Sequence, residues 1–149
     1  MKALLVIDVQ KGYMEKYEPE LLKRINQRIE AAVRNNELII YVKNIKRLRS
    51  GDIIYEFAQG LKVDSPYVFC KETASAFSNR EMTEFLIESQ ITEIELIGID
   101  GNSCVASSAL DGQKQGYKVI MPCAYIGVQN KERFEKKKMS LEARGIKII

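Results

Sequence analysis

Three residues of this 149-residue chain have the types and positions needed for nucleophilic chemistry. Cys104 lies where a helix is predicted to begin, and the unpaired N–H groups of a helix N-terminus favour an anion such as a thiolate. A carboxylate nearby can accept the thiol proton, and an ammonium nearby can stabilise the charge that forms; Asp8 and Lys71 are the predicted partners. We expect this arrangement to lower the pKa of the Cys104 thiol.

The absence of histidine narrows the chemistry further. Cys-His and Ser-His pairs cannot form, so any proton relay must use a carboxylate, lysine, tyrosine or water. Histidine is also the commonest metal ligand, and the three cysteines lack the paired spacing of zinc sites. Neither a metal nor another cofactor is therefore predicted.

Each of the three residues also has a structural interpretation. A lone cysteine in a helix of small residues is more often packed in a core than reactive. Lys71 and Asp8 would then form a structural ion pair, or Lys71 would be a solvated loop residue. An ionised Asp8 at the end of a buried strand still requires a partner, because an unpaired buried charge is costly. The residue types alone leave both interpretations open.

The elements that must position these residues are indicated by apolar runs alternating with longer segments of helical period. This alternation predicts an α/β fold, in which a six-stranded, mostly parallel sheet carries helices on both faces in a three-layer, Rossmann-like α/β/α arrangement. The predicted strands are residues 3–9, 38–42, 67–70, 94–99, 118–122 and 146–149. Residues 1–149 are expected to form a single domain.

Residues typical of helix ends mark the limits of four predicted helices. Pro19 opens the first helix, and Ser78 with Glu81 offers a capping box for the second. The third helix covers residues 104–115 and ends at Gly116, and the fourth covers residues 130–143. Residues 44–65 break any period and predict loops, with a short helical turn near residues 54–57.

The predicted strands also explain why Asp8, Lys71 and Cys104 are grouped. Asp8 and Lys71 end two apolar strands, and Cys104 follows a third after the polar turn 100–103. In an open parallel sheet, ligands bind beyond the carboxyl ends of the strands. We therefore expect the three side chains to converge at one edge of the sheet.

Charge and composition exclude several classes of partner. The net charge is +3, and the basic run 136–138 lies among acidic residues, as on a solvated helix face. The cluster Lys46, Arg47 and Arg49 lacks interleaved aromatics, so no nucleic-acid partner is predicted. No apolar stretch approaches the roughly 18 residues that a membrane span requires. The odd, scattered cysteines favour a reducing compartment, and a cytoplasmic location is expected.

Three stretches of the chain resemble the motifs of one known family. They are residues 3–10 (ALLVIDVQ), 71–77 (KETASAF) and 98–105 (GIDGNSCV). Their order and spacing resemble the isochorismatase-like cysteine hydrolase superfamily, whose catalytic triad is Asp, Lys and Cys. The resemblance covers nearly the whole chain.

The resemblance implies roles for particular residues. Cys104 would attack the carbonyl carbon of an amide-type substrate, Asp8 would take and return the proton, and Lys71 would stabilise the charges. The family places a cis peptide bond just before the nucleophile turn, here Ile99–Asp100. This bond would help to aim backbone N–H groups, including that of Cys104, into an oxyanion hole.

The resemblance also implies a branch of the family and a class of substrate. The cysteine points to the thiol-dependent amidases, and without histidine a metal-dependent nicotinamidase is not expected. The expected substrate is a small amide, imide or carbamoyl compound, with Tyr13, Phe77 and Asn102 as candidates for the pocket wall. Relatives commonly pair or form tetramers, so a homo-oligomer is expected. The alternative is a catalytically silent binding or assembly module on the same scaffold.

Overall fold

The computed structural model describes residues 1–45, 50–51 and 56–149. Seven strands and four α-helices are found in these residues. The strands are β1 (Lys2–Ile7), β2 (Leu38–Asn44), β3 (Val68–Lys71), β4 (Glu93–Ile99), β5 (Lys118–Met121), β6 (Ile126–Gly127) and β7 (Lys147–Ile148). The helices are α1 (Pro19–Arg34), α2 (Arg80–Glu88), α3 (Cys104–Lys114) and α4 (Lys131–Ala143).

The strands form one sheet in the order β3-β2-β1-β4-β5-β7, with β6 pairing beside β4. All of the strand pairs are parallel. The chain moves outward from β1 to β3 on one side and from β4 to β7 on the other. The direction of winding therefore reverses between β1 and β4, and the crevice beyond such a pair is the usual ligand site of an open α/β sheet.

Helices cover both faces of the sheet. On one face, α1 buries Leu21, Ile25, Ile29 and Ala32, whose three- and four-residue steps form a single apolar stripe. On the other face, α2, α3 and α4 contribute a second core around side chains such as Met82, Ala109 and Leu141. Successive residues of β1 alternate between the two cores, as the period of a strand requires.

The predicted α/β fold class and its helices on both faces are confirmed. The sheet has seven strands where six were predicted, because the two-residue β6 is too short to leave an apolar run in the sequence. The predicted N-cap of α2, Ser78, was wrong. The side chain of Asn79, and not that of Ser78, accepts the Met82 N–H, while the Ser78 hydroxyl donates to the Ser75 carbonyl.

Two predictions fall wholly or partly outside the described residues. The cluster Lys46, Arg47 and Arg49 lies there, as does the first half of the helical turn expected near residues 54–57. Phe57 itself is described, and it forms an isolated antiparallel bridge with Gln10. Within the described ranges, no helix is both long enough and apolar enough to cross a membrane.

Candidate active site

The structure brings Asp8, Lys71 and Cys104 together at the carboxyl edge of the sheet. Asp8 directly follows β1, Lys71 is the last residue of β3, and Cys104 is the first residue of α3. The Lys71 ammonium lies 3.0 Å from Oδ2 of Asp8 and 3.4 Å from Sγ of Cys104. Residues that are 33 to 63 positions apart in the chain are therefore within direct contact.

The Lys71 ammonium is fully buried and has three acceptors. Besides the carboxylate and the sulfur, it donates to the Thr73 carbonyl at 3.1 Å. An ammonium has three N–H donors, so this set accounts for all of them. Its position is therefore fixed, and its charge is directed at the carboxylate and the thiol.

The Asp8 carboxylate is held by an unusual backbone. Asp8 has φ +56°, a left-handed conformation that Asp and Asn adopt more readily than most residues. Its Oδ1 is buried and has no hydrogen-bond partner of normal geometry among the described residues. Burial raises the pKa of Asp8, and the Lys71 ammonium only partly offsets this effect. The carboxylate thus retains an oxygen for a proton.

The Cys104 thiol does not have the lowered pKa that its helix position predicted. Burial raises its pKa, the Asp8 carboxylate adds to the rise, and Lys71 opposes it. Because a negative neighbour disfavours a thiolate, the proton stays on sulfur until an acceptor takes it. Cys104 is partly exposed, whereas Asp8 and Lys71 are buried, so the sulfur is the atom of the three that an incoming molecule reaches.

Gln10 is a buried polar residue beside the site that the sequence prediction did not include. Its side chain is fully buried and makes two bonds to the backbone of Asn44, one donated at 3.0 Å and one accepted at 2.7 Å. These bonds tie the end of β1 to the end of β2 just beyond Asp8. The available signal was a polar residue two positions after the aspartate that ends the apolar strand.

The turn 100–104 leaves two backbone donors unpaired. The Ile99–Asp100 peptide bond is cis, at the position that the resemblance implies. Gly101 N–H donates to the Gly127 carbonyl, Asn102 N–H to the Asp100 carboxylate, and Ser103 N–H to the Asp100 carbonyl. Among the described residues, no acceptor pairs with the N–H groups of Asp100 and Cys104. These two groups are therefore the donors available for an oxyanion.

The three predicted pocket residues have different positions. Tyr13 is partly buried, and its pKa is raised by burial and by the charges of Asp8 and Cys104, so it lies near the site. The Asn102 side chain is held by the start of α4, since its Nδ2 donates to the carbonyl of Asn130, the N-cap residue of that helix.

Phe77 does not lie at the site. Its ring lies beside Gly112 and 5.8 Å from the Tyr117 ring. Gly112 is about 12 Å along α3 from Cys104 at 1.5 Å per residue. The aromatic residue that ends the 71–77 motif fills the core because the short 3₁₀ helix Ala76–Ser78 turns it inward.

The described residues contain no group of three or more Cys, Asp or Glu side chains arranged to hold a metal ion. The chain has no histidine to complete such a group. The charges at this edge of the sheet are instead neutralised by one another, through the Asp8–Lys71 pair.

Comparisons with known proteins agree with this architecture. The chain is 30% identical to the isochorismatase family protein YaaI of Bacillus subtilis, over 81% of this chain and 77% of YaaI. Its fold matches the crystal structure of a zinc-bound pyrazinamidase of Pyrococcus horikoshii with a TM-score of 0.84 and 23% identity, over 99% of this chain and 98% of that one.

Two further solved structures have the same fold. A pyrazinamidase/nicotinamidase of Streptococcus mutans matches with a TM-score of 0.81 and 21% identity over 100% of both chains. The YcaC gene product of Escherichia coli, described as an octameric hydrolase of unknown specificity, matches with a TM-score of 0.83 and 19% identity over 99% of this chain and 74% of that one. The isochorismatase domain profile matches residues 2–147, and the chain therefore belongs to the isochorismatase-like hydrolase family.

Proposed function

We propose that this protein is a cysteine hydrolase that cleaves the C–N bond of a small amide, imide or carbamoyl compound. The observation that carries the proposal is the contact of one ammonium with both a carboxylate and a thiol, at 3.0 and 3.4 Å. Cys104 and Asp100, at the two ends of the turn 100–104, carry backbone N–H groups that have no acceptor among the described residues. A nucleophile, a proton carrier and an oxyanion site are the parts that acyl transfer requires.

In the first half of the proposed reaction, Asp8 takes the thiol proton as the Cys104 sulfur attacks the carbonyl carbon. The oxyanion of the tetrahedral intermediate accepts hydrogen bonds from the N–H groups of Asp100 and Cys104. Asp8 then gives its proton to the departing nitrogen, the C–N bond breaks, and a thioester remains on Cys104. The raised pKa of Asp8 suits this role, because the carboxylate must hold a proton between the two steps.

In the second half, water replaces the amine. Asp8 accepts a proton from the water while the water oxygen attacks the thioester carbon. The C–S bond then breaks. The carboxylic acid departs, and the proton on Asp8 returns to the sulfur. Lys71 contacts both Asp8 and Cys104, and its ammonium stabilises each negative charge as it moves between carboxylate and sulfur.

A panel of small amides, assayed for ammonia release, tests this proposal. The panel includes pyrazinamide and nicotinamide, since two structural relatives are named for these activities. We expect turnover of at least one amide, and its loss in Cys104→Ala. Cys123→Ala, which removes another partly buried thiol, should retain the activity. Equal activity of the two variants would overturn the role of Cys104.

The second candidate is a silent binding or assembly module. The raised pKa of the Cys104 thiol favours it, since a protonated thiol is a poor nucleophile. Binding of an amide without ammonia release, at a level unchanged in Cys104→Ala, would support this alternative over hydrolysis.

We also propose that the protein acts on a small molecule and assembles with copies of itself. The support is the octameric description of the YcaC gene product, which has the same fold. Light scattering on the purified chain should give a mass above 17.0 kDa. A monomer mass at all concentrations would contradict this part of the proposal.

A further inference from the structure

The acidic side chain at position 100 lies at the turn that carries the two unpaired donors. A carboxylate so close to a developing oxyanion would oppose it by charge repulsion unless its own charge is compensated. The Asp100 carboxylate accepts three hydrogen bonds, from the Tyr17 hydroxyl at 2.9 Å, the Gln129 N–H at 3.0 Å and the Asn102 N–H at 2.8 Å. This charge is therefore fixed by donors from three separate segments.

We propose that Asp100 and Tyr17 are positioning residues that hold the turn 100–104 in the geometry needed to bind an oxyanion. The inference rests on the proposed function, because it assigns a role within the same reaction. Neither side chain needs to touch the substrate. Their effect would pass through the backbone N–H groups of Asp100 and Cys104, which remain free while the other donors of the turn are engaged.

The hydrogen bonds within the turn 100–104 support this positioning role. The donors of Gly101, Asn102 and Ser103 all have acceptors, and Asp100 supplies the acceptor for two of them through its carboxylate and its carbonyl. The Asp100 carbonyl also accepts the Val105 N–H at 3.1 Å and so connects the turn to α3. Asp100 thus engages two of the three paired donors of the turn, and Gly127 engages the third.

Close packing behind the turn explains why Tyr17 can reach the carboxylate. A Cβ atom at Gly127 would lie 2.7 Å from the Tyr17 ring, so only glycine allows this approach. A Cβ atom at Gly101 would lie 2.8 Å from Val128 and 2.9 Å from Phe134. Tyr17, β6 and α4 therefore support the turn as a tightly packed layer.

The Tyr17 hydroxyl stays protonated and can therefore donate its hydrogen bond to Asp100 continuously. Burial and the Asp100 carboxylate raise the pKa of Tyr17 above its ordinary value. Its hydroxyl keeps its proton throughout the neutral and mildly alkaline range, and the bond to Asp100 persists there. The same short segment carries Tyr13 on the other side of the 3₁₀ helix Met14–Lys16, and burial and the charges of Asp8 and Cys104 raise the pKa of both tyrosines.

Two reactions of the Cys104 sulfur separate positioning of the oxyanion site from simple structural support. Acylation by p-nitrophenyl acetate forms a bond from sulfur to the acetyl carbon, breaks the bond to p-nitrophenolate, and passes the thiol proton to Asp8. It proceeds through a tetrahedral oxyanion. Alkylation by iodoacetamide displaces iodide at a saturated carbon and places no new charge on a carbonyl oxygen. Mass spectrometry of the Cys104 peptide measures both rates in the full chain.

We expect Tyr17→Phe to slow acylation of Cys104 about 10-fold to 100-fold, since displacement of a catalytic group by about 1 Å has effects of this size. Alkylation should stay within about 2-fold of the wild-type rate, because the thiol and its partners are retained. Tyr117→Phe is the matched control. It removes a hydroxyl that has no hydrogen-bond partner among the described residues, and it should change neither rate.

Asp100→Asn provides a second variant of similar shape, which keeps one acceptor oxygen where the carboxylate has two. Like Tyr17→Phe, it should lower the ratio of the acylation rate to the alkylation rate. It provides the test if Tyr17→Phe does not fold. An unchanged ratio in both variants, with normal acylation of the wild type, would overturn the positioning role alone. No acylation of wild-type Cys104 would instead overturn the proposed function, and this inference with it.

Discussion

Charged side chains cluster at both ends of the sheet, and the two clusters are built differently. The carboxyl-end cluster consists of Asp8, Lys71 and Cys104. The amino-end cluster consists of Lys2, Arg28, Glu37 and Glu95, near the starts of β1, β2 and β4. There, Arg28 donates a bidentate pair to Glu37 at 2.9 and 3.0 Å and a further bond to Glu95 at 2.6 Å. Lys2 contacts Glu95 at 2.8 Å and Glu37 at 3.4 Å.

The difference lies in how completely each carboxylate is paired. Both glutamates contact two cations, and the hydrogen bonds from Arg28 lower the pKa of Glu37. Among the residues that the structure describes, Asp8 contacts one cation and retains a buried oxygen without a hydrogen-bond partner, and its pKa is raised. A carboxylate saturated with donors cannot accept a proton easily, whereas an incompletely paired one can. The amino-end cluster therefore has the properties of a structural site and the carboxyl-end cluster those of a reactive one.

The largest effect is expected when the reactive carboxylate is neutralised. Asp8→Asn should reduce ammonia release by about 10²-fold to 10⁴-fold, the usual range for losing a positioned general base. The assay is the turnover of whichever amide the wild type hydrolyses. Asp64→Asn, at an exposed aspartate, is the control and should be active. Activity of Asp8→Asn near the wild-type level would show that the two clusters do not differ in the way inferred above.

The corresponding change at the other end of the sheet should affect stability instead. Glu95→Gln leaves Arg28 and Lys2 with one carboxylate between them, and it should lower the free energy of unfolding by about 2–3 kcal/mol. Urea denaturation measures this loss, and turnover per folded molecule should be unchanged. In Glu84→Gln, which breaks the exposed Arg80–Glu84 pair, the loss should be below about 0.5 kcal/mol. A Glu95→Gln variant that is stable but inactive would contradict the structural assignment.

The smallest effect concerns the titration of the thiol. Because the pKa of Cys104 is raised, its alkylation by iodoacetamide should increase with pH through a midpoint above the ordinary thiol value of about 8.5. N-acetylcysteine, titrated in parallel, gives the reference. In Asp8→Asn the midpoint should move down, since a negative neighbour has been removed. A wild-type midpoint below that of the reference would contradict a raised pKa of Cys104. It would support the lowered pKa that the helix position predicted.

Several elements were predictable because their signals are local. Pro19 and a regular apolar stripe determine α1, and Gly116, with φ +95°, follows α3 as expected. The convergence of Asp8, Lys71 and Cys104 was predictable because parallel strands place their carboxyl ends at one edge. Phe77 was assigned wrongly to the pocket because its motif position says nothing about which way a 3₁₀ helix turns the ring.

The sequence by itself determined the α/β alternation, the chemical groups available and the absence of any histidine relay, because these depend on residue type and on periods within a few turns. The tertiary structure decided the protonation of those groups. A helix N-terminus alone predicted a thiolate, but burial and the carboxylate of a residue 96 positions away raise the pKa of the thiol. The contacts of Tyr17 and Gln129 with Asp100 likewise join distant segments. Electrostatic energies depend on distance and burial in space, and a linear sequence contains neither.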